Sequence, residues 1–391
     1  MKKFREIKLT GRSKPPFRAD HVGSLLRPQR LLDARENFLG AQTADDHLGP
    51  HHNEDLRQVE NECVEHVVSL QEEAGLKTAT DGEFRRRSWW LEMIMNWDGF
   101  SATRQGASSP FAWKNEQGKQ QDFSVLKVTG KIAWKPSPVV EAFNFLKSTT
   151  SITPKVTMPA PPVVHCFAGG DPAILGGHYT DMDHFWDDLI AAYRQEVSAL
   201  VEAGAKYIQV DDVTLPFLCD SDYDAVFKSW GSSPKAMLGE YAKRINQVID
   251  GAPDDVTFTM HTCRGNRERF WAAEGGYDPV ADALFNQINV DGYFMEYDTP
   301  RAGTFEPLRL LPEGKVVVLG VMSSKSPMTE DAEMLKSRVN EAAKFTSLDN
   351  LAIGPQCGFA SSIMGKPLTE DAEKAKLARL VEVAEDVWGG V

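Results

Sequence analysis

Val256-Thr-Phe-Thr-Met-His261-Thr-Cys263 is the stretch from which the fold reads outward. Five residues suited to a strand end on an imidazole and a thiol two positions apart, and side chains at i and i+2 of extended backbone leave on the same side. Similar short apolar runs occur at Phe17–Ser24, Leu76–Asp81, Lys155–Pro159, Tyr207–Asp211, Gly292–Tyr297, Val316–Val321 and Leu351–Ile353. Between them lie stretches with apolar residues three and four apart, which predict helices over Asn53–Ala74, Met182–Ala203, Pro234–Ile249, Pro279–Gln287, Thr329–Phe345 and Thr369–Val387. Pro327-Met-Thr-Glu-Asp331 and Pro367-Leu-Thr-Glu-Asp371 are near copies, each offering its Thr as an N-cap with acids in the first turn.

Eight strands alternating with helices predict an α/β fold, a single (β/α)8 TIM barrel. No Gly-rich dinucleotide fingerprint follows the first candidate strand, which counts against a doubly wound sheet. Residues 97–137 break the alternation and read as a β-hairpin insertion between the second and third strands, able to cover one end of the barrel. The expected organisation is an N-terminal arm over 1–16 and the barrel over 17–391. The arm is basic but lacks the apolar segment of a secretory signal.

Composition narrows the partners. The 391 residues are 42% hydrophobic and 25% charged, with a net charge of −13. An acidic chain repels phosphate backbones, so nucleic acid is not expected as a partner. No apolar run is long enough to span a membrane. Five cysteines in a chain of this length form no disulfide framework, and reduced thiols in a cytoplasm are expected. His47, His51 and His52 read as a solvated patch, and Cys63 as a small core residue on a helix. Cys166 and Cys219 have no setting comparable to that of Cys263.

In a barrel the C-terminal strand ends converge on one face. His261 and Cys263 would meet Glu296, from Phe-Met-Glu296-Tyr-Asp298, and Cys357, from Gly354-Pro-Gln-Cys357. One imidazole, two thiolates and a carboxylate suit Zn2+ better than a hard cation. Such a set carries excess negative charge and is a weak Lewis acid for a carbonyl. It suits the binding of an incoming thiol as an electron-rich thiolate that attacks an alkyl carbon. On the same face lie Ser24, Asp81, Glu83, Arg85, Arg86, Asp211, Asp212 and Lys325. Glu83 and Asp211 suit an ammonium, and Arg85, Arg86 or Lys325 suit an anion. Each serves equally well as a salt bridge or cap, and Asp81-Gly is turn chemistry in itself. Trp89 and Trp90 read first as core or rim packing.

Together, His21-Val-Gly-Ser24, Asp81-Gly-Glu83, Gln209-Val-Asp211-Asp212, His261-Thr-Cys263, Glu296 and Gly354-Pro-Gln-Cys357 resemble the catalytic half of cobalamin-independent methionine synthase. The resemblance runs from about Phe17 to the C-terminus. It implies a (β/α)8 barrel in which His261, Cys263, Glu296 and Cys357 hold zinc, and Ser24, Glu83 and Asp211 hold the amino-acid part of homocysteine. It implies transfer of a methyl group from 5-methyltetrahydrofolate to the homocysteine thiolate. Asp211 and Asp212 are the candidate catalytic residues, Asp212 and the hydroxyls near Ser323 being candidates for protonating the leaving group.

Two departures bear on the donor. The full-length enzymes carry a second, N-terminal barrel that helps bind the folate, whereas this chain has one. The family's Asp-Ile-His-Ser-Pro is here Ser323-Ser-Lys325-Ser-Pro327, so a fixed cation stands where a proton shuttle would be. A folate, a methyl-carrier (corrinoid) protein or a small methyl-sulfonium compound therefore all remain as donors, and Lys325 is a candidate for holding an anionic group. The chain is also similar to the single-barrel epoxyalkane:coenzyme M transferases, which open an epoxide with a zinc-activated thiol. A non-catalytic zinc barrel binding a thiol or pterin is the third reading.

Overall fold

The structure, a computed structural model, describes residues 11–40, 49–103, 111–115, 118, 121–122, 125–267, 270–363 and 368–391. Its centre is a six-stranded sheet, all of it parallel. The strands are β1 (Val156–Pro159), β2 (Tyr207–Asp212), β3 (Thr257–Thr262), β4 (Gly292–Glu296), β5 (Val316–Met322) and β6 (Leu351–Pro355), and each pairs with its neighbour in chain order. Every residue of these strands is buried except Thr257, at the start of β3, which is half-buried. Helices explain the burial, because crossover connections cover the faces of a parallel sheet. The longest are Glu54–Glu73, Met182–Glu202, Pro234–Ile249 and Glu370–Trp388.

Two of the eight expected strands are cut short. Phe17–Ser24 makes only one parallel bridge, Ala19 to Ile353 of β6, with Asp20 N donating to Ile353 O at 3.1 Å. Its buried side chains are paired locally instead: the Asp20 carboxylate accepts from the amides of Phe17 and His21 and from the Tyr207 hydroxyl. Leu76–Asp81 shrinks to Thr78–Ala79, which pairs in parallel with Thr153–Pro154 just ahead of β1. These two segments touch each other, through Leu25 N to Gly82 O at 3.1 Å and Thr80 Oγ1 to Gly23 O at 2.6 Å. Within 97–137, Asp98–Thr103 runs antiparallel to Val125–Ala133. The tip of the expected excursion falls largely outside the described residues.

The near-copy helix starts diverge. Thr369 does cap its helix, accepting from Ala372 N at 3.2 Å. The other helix, Ala332–Ala342, is capped by Asp331 rather than Thr329. Glu330 explains the delay, since its carboxylate is taken by Ser323 N at 2.8 Å and by the buried Lys376 ammonium at 2.7 Å. A residue held sideways in this way cannot also start the helix.

Gly320 of β5 sets how closely the strand ends approach. A Cβ there would lie 2.6 Å from Met295 O and 2.7 Å from Gln356 Cα, both immovable backbone. Gly320→Ala is expected to cost about 1–3 kcal/mol through overpacking. Urea unfolding reads this as a lower midpoint at unchanged slope.

Candidate metal centre and substrate cavity

The carboxyl ends of β2, β3, β4 and β6 converge, and the four expected ligands meet there. One ligand atom each from His261, Cys263, Glu296 and Cys357 lies within 4.8 Å of the others. His261 Nε2 is 3.3 Å from Cys357 Sγ, and the two sulfurs are 3.4 Å apart. A tetrahedral zinc with Zn–S near 2.3 Å needs edges of about 3.7 Å, so the two sulfurs would part by a few tenths of an ångström around an ion and the spacings nearer 4.8 Å would close. The His261 ring is oriented for it. Nδ1 lies 3.1 Å from Phe294 O, an acceptor, so Nδ1 carries the proton and Nε2 offers its lone pair to the sulfurs.

The chemistry of the donors also fits a cation. Burial, then the nearby Cys357 sulfur, pushes the Glu296 carboxyl up to about 7. The hydrogen bond with Cys357 and burial hold the Cys263 thiol well above its ordinary value. Burial lowers the His261 ring's proton affinity, but Cys357, Asp211 and Glu296 outweigh that and carry it to about 9. A site that gathers protons to offset its own negative charge is one that a divalent cation would neutralise.

Neighbours hold the ligands in place. Arg264 N donates to Glu296 Oε1 at 2.7 Å, and Gly265 N lies 3.4 Å from Cys263 Sγ. Asn266 is the clamp. Its Nδ2 donates to Gly358 O at 2.5 Å and Ser324 Oγ at 3.1 Å, tying the loop that carries Cys263 to the one that carries Cys357. Neither Asn266 nor Tyr277, whose hydroxyl accepts from Glu296 N at 3.0 Å, stands out in the sequence, since both lie in loops without periodicity.

A cavity of about 350 Å3 reaches His261, Cys263 and Cys357 and is also lined by Ser24, Glu83, Asp211 and Asp212. Glu83 is the only non-glycine among the described residues with positive φ, at 60°. That conformation costs roughly 1–2 kcal/mol for an L-residue and marks functional sites. It is imposed from three sides: Glu83 N donates to Asp81 Oδ1 (2.9 Å), while Glu83 O accepts from Arg27 Nη2 (2.8 Å) and Arg86 N (3.0 Å). Asp81 thus does serve the turn. The Glu83 carboxylate takes the Thr157 hydroxyl at 2.8 Å and sits 3.7 Å from Arg86, while Oε2 is buried without a partner among the described residues. Burial, reinforced by Asp211 and opposed by Arg86, raises its pKa to about 7. Asp211 accepts from Gln209 Nε2 at 2.6 Å and is raised by burial to about 6.

The other expected site residues are engaged elsewhere. Asp212, also raised by burial to about 6, gives both oxygens to the first turn of the next helix, accepting from Thr214 Oγ1 (2.6 Å) and Leu215 N (2.7 Å). Lys325 points its ammonium at Gly265 O (3.3 Å) and Phe270 O (3.4 Å), and it does not line the cavity. Arg86 binds Thr157, and Arg85 binds Asn61 and Glu141. His51 is not solvated but bonded at 2.9 Å to the buried Glu60; His47 lies outside the described residues. Cys63 is core, as expected.

Fold and site together define a parallel-sheet α/β protein with a thiol-rich quartet at its strand ends that could hold a metal ion. The chain belongs to the family of the cobalamin-independent synthase catalytic domain, whose model matches residues 167–386. The family is one of methionine-synthase-like methyltransferases. Two uncharacterized Bacillus subtilis proteins, YxjH and YxjG, are 38% and 39% identical to it, over 96% and 98% of both chains. A methionine synthase of Saccharolobus solfataricus is 25% identical over 92% of both. Among solved structures, a Listeria monocytogenes protein assigned as a vitamin-B12-independent methionine synthase superposes with a TM-score of 0.73 at 31% identity, over 97% of this chain and 100% of its own. A Shewanella B12-independent methionine synthase bound to selenomethionine shares the fold, with a TM-score of 0.65 at 20% identity over 94% and 96%. No helix among the described residues is long and apolar enough to cross a membrane.

Proposed function

We propose that the chain is a zinc-dependent enzyme of the cytoplasm that transfers a methyl group to a thiol, with homocysteine as the acceptor. The observation that carries this reading is the quartet of His261, Cys263, Glu296 and Cys357, of which His261, Cys263 and Cys357 line the same cavity as the Glu83–Asp211 pair. Zinc held by these four residues would lower the pKa of the acceptor thiol and keep it as a reactive thiolate. The protein positions the rest of the acceptor. Glu83 Oε2 and the Asp211 carboxylate receive its ammonium, and Ser24 lines the same cavity. Two carboxylates there favour an amino-acid thiol over the sulfonate thiol that an epoxide-opening relative uses. The fold we infer is a closed eight-stranded barrel, the Phe17–Ser24 and Thr78–Asp81 segments completing the ring. The antiparallel pair within 97–137 would form a cover over one end.

X-ray absorption at the metal tests the reading. Homocysteine added to the zinc-loaded protein should bring one further sulfur into the coordination shell. A shell unchanged by homocysteine but altered by coenzyme M would transfer the chemistry to another acceptor.

The carboxylate pair predicts a pH dependence. Methionine, a product with no thiol proton, is the probe. Glu83 and Asp211 are ionised at pH 8 and take up protons as the pH falls through about 7 and about 6, while the methionine ammonium stays charged. Methionine affinity should therefore fall from pH 8 to 5.5, by at least about tenfold if each charged hydrogen bond is worth 1.5–3 kcal/mol. Calorimetry across that range measures it.

A further inference from the structure

Aromatic side chains form much of the wall of the same cavity. Trp89, Trp90, Trp113, Phe167 and Phe217 line it. Phe167 stands in the corner of two indoles, 5.0 Å from Trp90 at 67° and 6.4 Å from Trp89 at 73°. Phe217 is backed by Phe111, stacked at 4.3 Å. The segment bearing the indoles is fastened across the site, Trp89 N donating to Ser361 O and Ile363 N to Arg87 O, both at 2.9 Å. Aromatic walls of this kind attract onium cations through their ring faces.

The proton-bearing groups of the cavity are already committed, Glu83 and Asp211 to the acceptor ammonium in the reading above. Asp212 spends both oxygens on a helix start, and the Lys325 ammonium faces two backbone carbonyls. A tetrahydrofolate leaving group departs as a nitrogen anion that needs a proton. A sulfonium leaving group departs as a neutral thioether and needs none. Size points the same way. About 350 Å3 must hold acceptor and donor together, at the lower end of the roughly 300–1,000 Å3 usual for a single ligand.

We propose that the methyl donor is a small sulfonium compound whose cationic sulfur lies against the aromatic wall to which Trp89, Trp90 and Phe167 contribute. This rests on the reading of the site as a methyl-transfer centre and deepens it. The acceptor thiolate attacks the methyl carbon, a new carbon–sulfur bond forms, and the old one breaks with its electron pair going to the departing thioether. No proton moves in that step. The partly exposed Arg267, on the same wall, suits a carboxylate carried by the donor.

The zinc-loaded full chain would be given homocysteine and, separately, S-methylmethionine with a deuterated methyl, 5-methyltetrahydrofolate or methylcobalamin. Binding of S-methylmethionine would be followed in parallel by quenching of indole fluorescence. The expected result is deuterated methionine from the sulfonium, at least about tenfold faster than from the other two, one decade being about 1.4 kcal/mol in the activation barrier. Trp89→Leu should weaken S-methylmethionine binding roughly 3–30-fold and leave homocysteine binding unchanged, with Trp89→Phe intermediate. Trp113→Leu gives a second, partly exposed position if Trp89→Leu is unstable. Transfer only from the folate or the corrinoid, or from none of the three while homocysteine binds, overturns the donor assignment and leaves the acceptor site standing. Failure of homocysteine to bind removes the methyl-transfer reading itself, which separates the two.

Discussion

Cys357→Ser should empty the metal centre while leaving the protein folded. Zinc per chain is expected to fall from near one to a small fraction, and methyl transfer by more than the roughly 10–100-fold that loss of an outer partner of a metal site costs. The reason lies in the geometry: Cys357 is the ligand in contact with two others, His261 Nε2 at 3.3 Å and Cys263 Sγ at 3.4 Å. The fold does not depend on the ion in the same way. The six parallel strands pair with each other directly, and their buried apolar side chains pack into a large cluster and a smaller one of Val22, Tyr207, Phe294, Val316, Val318 and Ala352. Circular dichroism and thermal unfolding of the variant should therefore resemble those of the parent stripped of metal. Unfolding on metal removal would instead assign zinc a structural role.

Glu83→Gln is expected to trade function for stability. It removes a charged partner of the acceptor ammonium, so homocysteine should bind about 10–100-fold more weakly, from a charged hydrogen bond worth 1.5–3 kcal/mol. Stability should move the other way. Burial raises the folded-state pKa of Glu83 above the ordinary 4.5, to about 7. The penalty of holding it ionised is absent below the unfolded pKa, grows as pH rises through the interval, and is complete above the folded value. At pH 8 the neutral amide should therefore stabilise the fold, by something on the order of 1–2 kcal/mol, and at pH 4 it should make little difference. Urea titrations at the two pH values measure the contrast. Equal effects at both would mean that the backbone at φ 60°, which the variant retains, governs the local energy.

The ligand set was legible in the sequence because strand ends impose it. His261 and Cys263 lie two residues apart where an apolar run stops, and Glu296 and Cys357 repeat that position in later strands. Glu83, Asp211 and Ser24 followed the same logic and do line one cavity. What sequence reasoning missed depends on side-chain direction, which local pattern does not encode. Lys325 has the right position to meet a substrate anion, yet the loop after β3 passes close enough to offer it two carbonyls. Asp212 adjoins Asp211 and faces a helix start. Phe17–Ser24 has the composition of a strand, but its Asp20 and the buried Lys155, 2.6 Å from His21 O, fix it by side-chain contacts in place of a full ladder. The two indoles read as packing and are that against Phe167, while also forming the cavity wall.

The centre draws its ligands from three different strands, and its thiol pair is separated by 94 positions along the chain. At a synthesis rate of about 5–20 residues per second, Cys263 leaves the ribosome roughly 5–20 s before Cys357 does. During that interval the nascent chain presents first the His261 and Cys263 pair and then Glu296, and Cys357 joins last. The set of four is therefore complete only near the end of synthesis, and a chain cut short before Cys357 keeps three ligands but lacks the one in contact with two others.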